Sequence, residues 1–258
     1  MRTSSLLIGL LSASCLFGQQ VATPPTAQQI LDRYLKVTGG KAAYDKVKSV
    51  TMLGTMEIKG QNVRGEMKMY RMDGGKYYTV VDLPGIGKQE DGSDGNTVWD
   101  KTVLGPRLKT GEEKFLAACA SGAMSEYVRG ALEHDKCYAK SEYSGEETIA
   151  GKVFQKVTMT PKIGKPEVQY YDKATGLLGR SKVVLPSPMG DVPITILVED
   201  YKMFEGVVTP VRITNQMGAV EMEIAFSSVK FNEKLPESLF VFPPEIQALV
   251  DAEKKPTP

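Results

Sequence analysis

Few side chains in this sequence are placed to do bond chemistry. The chain has a single histidine, His134, and no G-x-S-x-G turn accompanies it, so a serine hydrolase would have one possible base and no nucleophile elbow. His134 closes a stretch with helical periodicity, where the helix dipole favours a cation, and we read it as structural. Ser227 and Lys230 match S-x-x-K in spacing, but they fall in a strand pattern rather than at a helix start. Zinc needs clustered Cys and His ligands, which Cys119, Cys137 and one histidine do not supply. Asp91, Asp94 and Asn96 lack EF-hand spacing and a closing carboxylate. Gly85, Gly87 and Lys88 lack the P-loop spacing and its Ser or Thr. The adjacent pairs Glu112–Glu113 and Glu146–Glu147 suit a helix start and a solvated turn. No catalytic residue, metal or cofactor is expected.

One constellation survives. Met52 and Met56 share a strand face, and Met67 and Met69 share the same face of the next strand, together with Val50, Ile58 and Val63. Thioethers are flexible and polarisable and adapt to irregular partners. These four either pack beneath a helix or line a ligand cleft, and both hold where the helix covers only part of the cleft.

The elements that would position them follow from periodicity. Lys152 to Phe231 alternates apolar and polar residues between turn signals, the pattern of antiparallel strands with one dry face; Val220, Met222, Ile224 and Phe226 mark that face. Thr26 and Gln29 have capping-box spacing, followed by the apolar stripe Ile30, Leu31, Tyr34, Leu35 and a stop at Gly39–Gly40. Strands are predicted at 49–58, 63–71 and 76–82, the first two joined by the turn 59–62. Thr110 and Glu113 form a second capping-box pattern that opens a helical insert, with Phe115, Leu116 and Cys119 on one helix and Met124, Tyr127, Val128 and Ala131 on another. A short helix is expected at 245–252. The fold class is α+β, mostly β: one curved antiparallel sheet of about 11 strands with an N-terminal helix and a central helical lid.

Arg2 and the apolar run Leu6–Phe17 read as a secretory signal over 1–18, too short to span a bilayer. Cleavage after Ser14 would instead expose Cys15 for lipidation and make an outer-membrane lipoprotein. Residues 19–25 read as a linker, 26–252 as one domain and 253–258 as a disordered tail. Once Cys15 leaves, Cys119 and Cys137 are an even pair in an oxidising compartment, able to form one disulfide or to remain two thiols. A net charge of +1 gives no electrostatic reason to expect nucleic acid as a partner.

The order of motifs resembles the periplasmic lipoprotein-carrier superfamily, the LolA-like lipoprotein-sorting proteins. The resemblance rests on Ile30-Leu31-Asp32-Arg33-Tyr34 with Thr38-Gly39-Gly40, Gly54-Thr55-Met56 and Gly151-Lys152-Val153-Phe154. It continues through Tyr171-Asp172-Lys173-Ala174-Thr175-Gly176-Leu177-Leu178, Asp200-Tyr201 and Gly206-Val207-Val208-Thr209-Pro210. It implies an unclosed β-barrel whose helix-capped hollow accepts acyl chains of lipids or lipoproteins, passed on to an outer-membrane or other exported acceptor. The family's lid-fastening arginine falls on Arg64, Arg71 or Arg107. The expected function is a periplasmic, non-enzymatic binder with Met52, Met56, Met67, Met69, Trp99, Phe115, Met124 and Val128 as contacts. The alternative is an exported interaction module whose cleft is filled. An enzyme using scattered carboxylates would need them to converge, perturbed, inside a cleft.

Overall fold

The computed structural model describes residues 23–122, 124 and 126–254. The predicted signal, Cys15, the linker up to residue 22 and the tail after 254 lie outside the described residues. Helices α1 (Ala27–Val37) and α2 (Lys41–Tyr44) precede strands β1 (Ser49–Ile58), β2 (Val63–Met72), β3 (Lys76–Leu83), β4 (Gly87–Asp94), β5 (Val98–Thr102) and β6 (Gly105–Leu108). The helical insert is α3 (Gly111–Ala120), α4 (Glu126–Leu132) and α5 (His134–Cys137). Strands β7 (Tyr138–Ile149), β8 (Lys152–Pro161), β9 (Glu167–Asp172), β10 (Leu178–Leu185), β11 (Val192–Phe204), β12 (Val207–Met217) and β13 (Val220–Phe231) follow, then a short turn of 3-10 helix (Glu237–Phe240) and α6 (Pro244–Glu253).

All thirteen strands form one sheet in the order β6-β5-β4-β3-β2-β1-β13-β12-β11-β10-β9-β8-β7, every neighbouring pair antiparallel. The count exceeds the expected 11. The insert does not interrupt pairing, because it connects the two free edges, β6 and β7. Two hairpin series thus grow outward from the β1–β13 junction, which the first and last strands close.

The layer is strongly bent. β4 and β9 stand eight positions apart, which a flat sheet would separate by roughly 38 Å at about 4.8 Å per strand, yet Asp91 and Gln169 line one cavity. Helices α1 to α5 lie on the concave side. Tyr34 of α1 meets Tyr171 edge-on, ring centroids 5.4 Å apart, among the buried side chains Leu31, Val128, Val157, Met159 and Leu178.

The motifs that carry the family resemblance meet in space. Arg33 donates from both terminal nitrogens to the carbonyls of Lys173 and Ala174, each at 2.8 Å, pinning α1 to the turn after β9. That turn is built by Asp172, whose carboxylate accepts from the backbone of Ala174 and Thr175. Val208 N–H donates to Thr38 at 2.9 Å, and Gly39, at φ +133°, lies so close to Gly206 that a Cβ would come within 2.7 Å of its carbonyl oxygen. The capping box at the start of α1 forms through Thr26 and Gln29. The one expected at Thr110 does not: the Thr110 side chain makes no cap hydrogen bond, because Glu113 turns instead to Arg107.

Gly54 marks a register shift between β1 and β13. A Cβ there would fall on the carbonyl oxygen of Ala225 and within 2.8 Å of Phe226 Cα. Backbone atoms cannot yield as a side chain does, so Gly54→Ala is expected to destabilise the fold by about 3 kcal/mol, measured as a lower urea midpoint with an unchanged slope.

Candidate ligand-binding cleft

Two adjoining cavities lie between the concave face and its helical cover. The apolar one, about 230 Å³, is walled by Val50, Met52, Ile196, Ile213, Ile224 and Phe226 of the sheet, by Tyr44 of α2 and by Val47 just after it. The mixed one, about 430 Å³, runs beneath α3 and the edge strands and includes Tyr77, Thr79, Asp91, Lys109, Gln169 and Leu185. Met69, Arg71 and Ile196 line both.

Register explains which predicted residues arrive here. Met52 pairs with Met69, while Met67 faces Gly54 and Met56 faces Gly65, so all four thioethers point to one face. Met52 and Met69 wall the apolar cavity, and Met67 and Met69 the mixed one. Met56 packs against the core beyond them. Val128 is 1% exposed and fully committed to the core, and Met124 packs against that core, both behind the cleft wall. In α3, Glu113, Leu116, Ala117 and Ala120 face the cavity with i, i+3, i+4, i+7 spacing. Phe115, about 100° round the helix from Leu116, is half-buried and outside the lining.

Trp99 stands on the other side of the sheet. It pairs with Gly92, whose neighbour Asp91 faces the cavity, and alternation sends the indole to the convex face. There it packs with Ile246 and Val250 of α6, beside Tyr78 and Leu108. The missing Cβ of Gly92 makes room for the ring, the closest ring carbon standing 2.8 Å from where a Cβ would be. The sequence placed α6 correctly but held no signal for which surface it covers.

Polar ties hold the insert down. Arg71 of β2 donates to the carbonyl of Ala120 at the end of α3, at 2.7 Å. Arg107 of β6 bridges Glu113 of α3, at 2.6 Å and 3.1 Å, to Asp100 of β5 at 2.7 Å. Of the three candidate arginines, Arg71 reaches the helix backbone and Arg107 a helix side chain, while Arg64 donates to Thr55 on the neighbouring strand. Cys119 and Cys137 are joined as a disulfide, Cα atoms 5.8 Å apart, linking α3 to α5. His134 stacks on Tyr138, centroids 5.6 Å apart, and begins α5 rather than ending a lid helix.

Asp91 lines the mixed cavity, half-buried, and desolvation pushes its carboxyl up to about 6 against the opposing pull of Lys109 and Arg71. Asp100 and Glu113 are already held by Arg107, so these acids do not make a paired acid–base site.

The fold defined by this bent sheet and its helical cover is LolA-like. Solved structures that share it include a LolA superfamily protein from Nitrosomonas europaea, 12% identical, covering 85% of this chain and 99% of that one at a TM-score of 0.55. A DUF1329 family protein from Desulfovibrio piger is 17% identical, with 83% and 97% covered and a TM-score of 0.54. A domain from Vibrio parahaemolyticus, named for outer membrane lipoprotein sorting, is 13% identical, with 83% and 95% covered at 0.54. Neither the protein-family models nor the curated proteins contain a match to this sequence.

Two outcomes follow. Because the native state holds the Asp91 proton between pH 4 and pH 6 while the unfolded chain has released it, raising pH through that window weakens the wild type. Asp91→Asn therefore gains stability relative to wild type as pH rises from 4 to 6, by about 2 kcal/mol, and no further above it; urea titrations at pH 4, 5 and 7 measure this. Reducing the disulfide, which spans 18 residues, is expected to lower stability by about 3 kcal/mol on the chain-entropy account, read from thermal melts with and without reductant.

Proposed function

We propose that this protein is an exported, non-enzymatic binder or carrier that holds the acyl chains of lipids or acylated proteins between its bent sheet and its helices. The single observation behind this reading is the apolar cavity between α2 and strands β1, β2 and β11 to β13, which the chain's own side chains leave open. An interaction module with a plugged cleft would lack it. The LolA-like fold supports the same reading, as does the name of the Vibrio parahaemolyticus domain, which concerns lipoprotein sorting.

Each methylene moved from water into such a cavity contributes about 0.8 kcal/mol. A medium-length chain therefore binds usefully without other contacts, and an acceptor offering similar burial can take it. Enlarging the cleft requires α3 to move, which breaks the Arg71–Ala120 bond and the Arg107–Glu113 pair. Charge-assisted bonds of this kind are each worth about 1.5–3 kcal/mol, small enough for cargo to offset.

Protein purified from the periplasm of an expression host is expected to carry lipid by mass spectrometry and, once delipidated, to bind a fluorescent fatty-acyl probe. Affinity should fall about tenfold for every two methylenes removed from a competing ligand. Ile224→Glu, which puts a carboxylate in the apolar wall, should weaken probe binding at least tenfold while circular dichroism stays unchanged. A delipidated protein that binds no acyl probe would overturn the proposal.

A further inference from the structure

The mixed cavity has a polar end with a specific composition. Arg71 and Arg129 both line it and both come to the end of α3: Arg71 bonds the carbonyl of Ala120, and the Arg129 guanidinium lies against Gly122. Each keeps its Nε buried without a hydrogen-bond partner, although a guanidinium is built to present Nε–H and a terminal N–H together to two oxygens of one anion. Arg71 stands beyond ion-pair distance of every carboxylate among the described residues, and Asp91 acts on it only from further away.

The other acids of this wall are already engaged. Glu113 accepts from Arg107, Glu167 from Tyr138 and Gln169, and Asp100 from Arg107 with Lys109 at 3.5 Å. Arg129 does pair with Glu133 at 2.7 Å, but Glu133 is also shared with Lys136. The cavity lining sets Arg71, Lys109 and Arg129 against Asp91, Glu113 and Glu167, so what singles out the two arginines is the unpartnered Nε–H of each rather than an excess of charge, and Arg71 is also a wall of the apolar cavity. An elongated amphiphile fits this arrangement, its chain among Val50, Ile224 and Phe226 and its charged end beside α3.

We propose that Arg71 and Arg129 bind the anionic group, carboxylate or phosphate, of a ligand whose acyl chain occupies the adjoining apolar cavity. This deepens the carrier reading and rests on it. It makes the protein selective for acidic amphiphiles over neutral ones, and it couples cargo to the cover, because an anion on Arg71 competes with the Ala120 carbonyl that holds α3 in place.

The test uses delipidated full-length protein carrying a neutral fluorescent acyl probe, with dodecanoate, dodecyl phosphate and dodecanol as competitors and inorganic phosphate alongside. Two charge-assisted hydrogen bonds predict that at least one of the two anions displaces the probe at least tenfold more tightly than dodecanol, and that inorganic phosphate alone binds far more weakly. Which anion wins identifies the head group. Equal displacement by all three chains overturns the anion site and leaves the carrier reading standing, whereas failure of the probe itself to bind overturns both. Inorganic phosphate binding as tightly as dodecyl phosphate overturns the acyl-linked head group. Arg129→Gln should reduce the anion preference about tenfold while retaining dodecanol binding, which also reports that the variant is folded; Arg71→Gln, which alters a wall of the apolar cavity as well, should reduce the ratio of anion to dodecanol affinity by a similar factor whatever the dodecanol affinity itself becomes. Arg129→Lys should keep part of the preference. A preference unchanged in both glutamine variants overturns the assignment of these residues, and where a variant loses dodecanol binding through misfolding, the wild-type ratio decides.

Discussion

Bending one long sheet creates more inner surface than a few short helices can cover. Thirteen strands supply the concave face, whereas α1 to α5 together supply only a thin cover, several of whose contact residues are alanine or cysteine. Helices α1 and α4 fill their half well: Leu31 and Tyr34 of α1 and Val128 of α4 pack against Val157, Met159, Tyr171 and Leu178 with almost no exposure. The other half, over β1, β2 and β11 to β13, receives only α2 and the thin face of α3. The cleft is thus the geometric remainder of a sheet whose curvature exceeds its supply of helical side chains, and every functional inference drawn above depends on that mismatch.

The same asymmetry governs how the cover is attached. Above the filled half, attachment is through packing and through Arg33, whose guanidinium grips two carbonyls of one turn. Above the open half it is through discrete polar ties from the sheet edge and from β2, with a disulfide holding α3 to α5. Packing releases only when large apolar area is exposed, while hydrogen bonds to a guanidinium exchange readily for bonds to another acceptor. The two halves of the cover are thus fastened differently, one by buried packing and the Arg33 grip, the other by separate polar bonds and a disulfide.

Much of this was legible in the residues, for identifiable reasons. Hairpin strands declare themselves because alternation and turn residues are local, so β1 and β2 fall at the predicted positions, and the methionine face follows from counting by twos. The capping box of α1 was equally local. Contacts between distant segments left weaker traces. The Thr110 box failed because Arg107 competed for Glu113, a partner six residues away in a different element. Phe115 is a large apolar residue, but the face of α3 toward the sheet sets a single large apolar side chain, Leu116, among Glu113, Ala117 and Ala120, which carries little hydrophobic signal. The joining of the two free edges by the helical insert, and the strand count, depend on the whole sheet and have no local signature.

Trp99 shows what a one-residue alternation does to a useful chromophore. The chain's only indole is 2% exposed and clamped by Ile246 and Val250 on the back of the sheet, while its strand neighbour Asp100 looks toward the interior. Its emission therefore reports the seating of α6 on the convex face, the surface opposite the one that bears the two cavities.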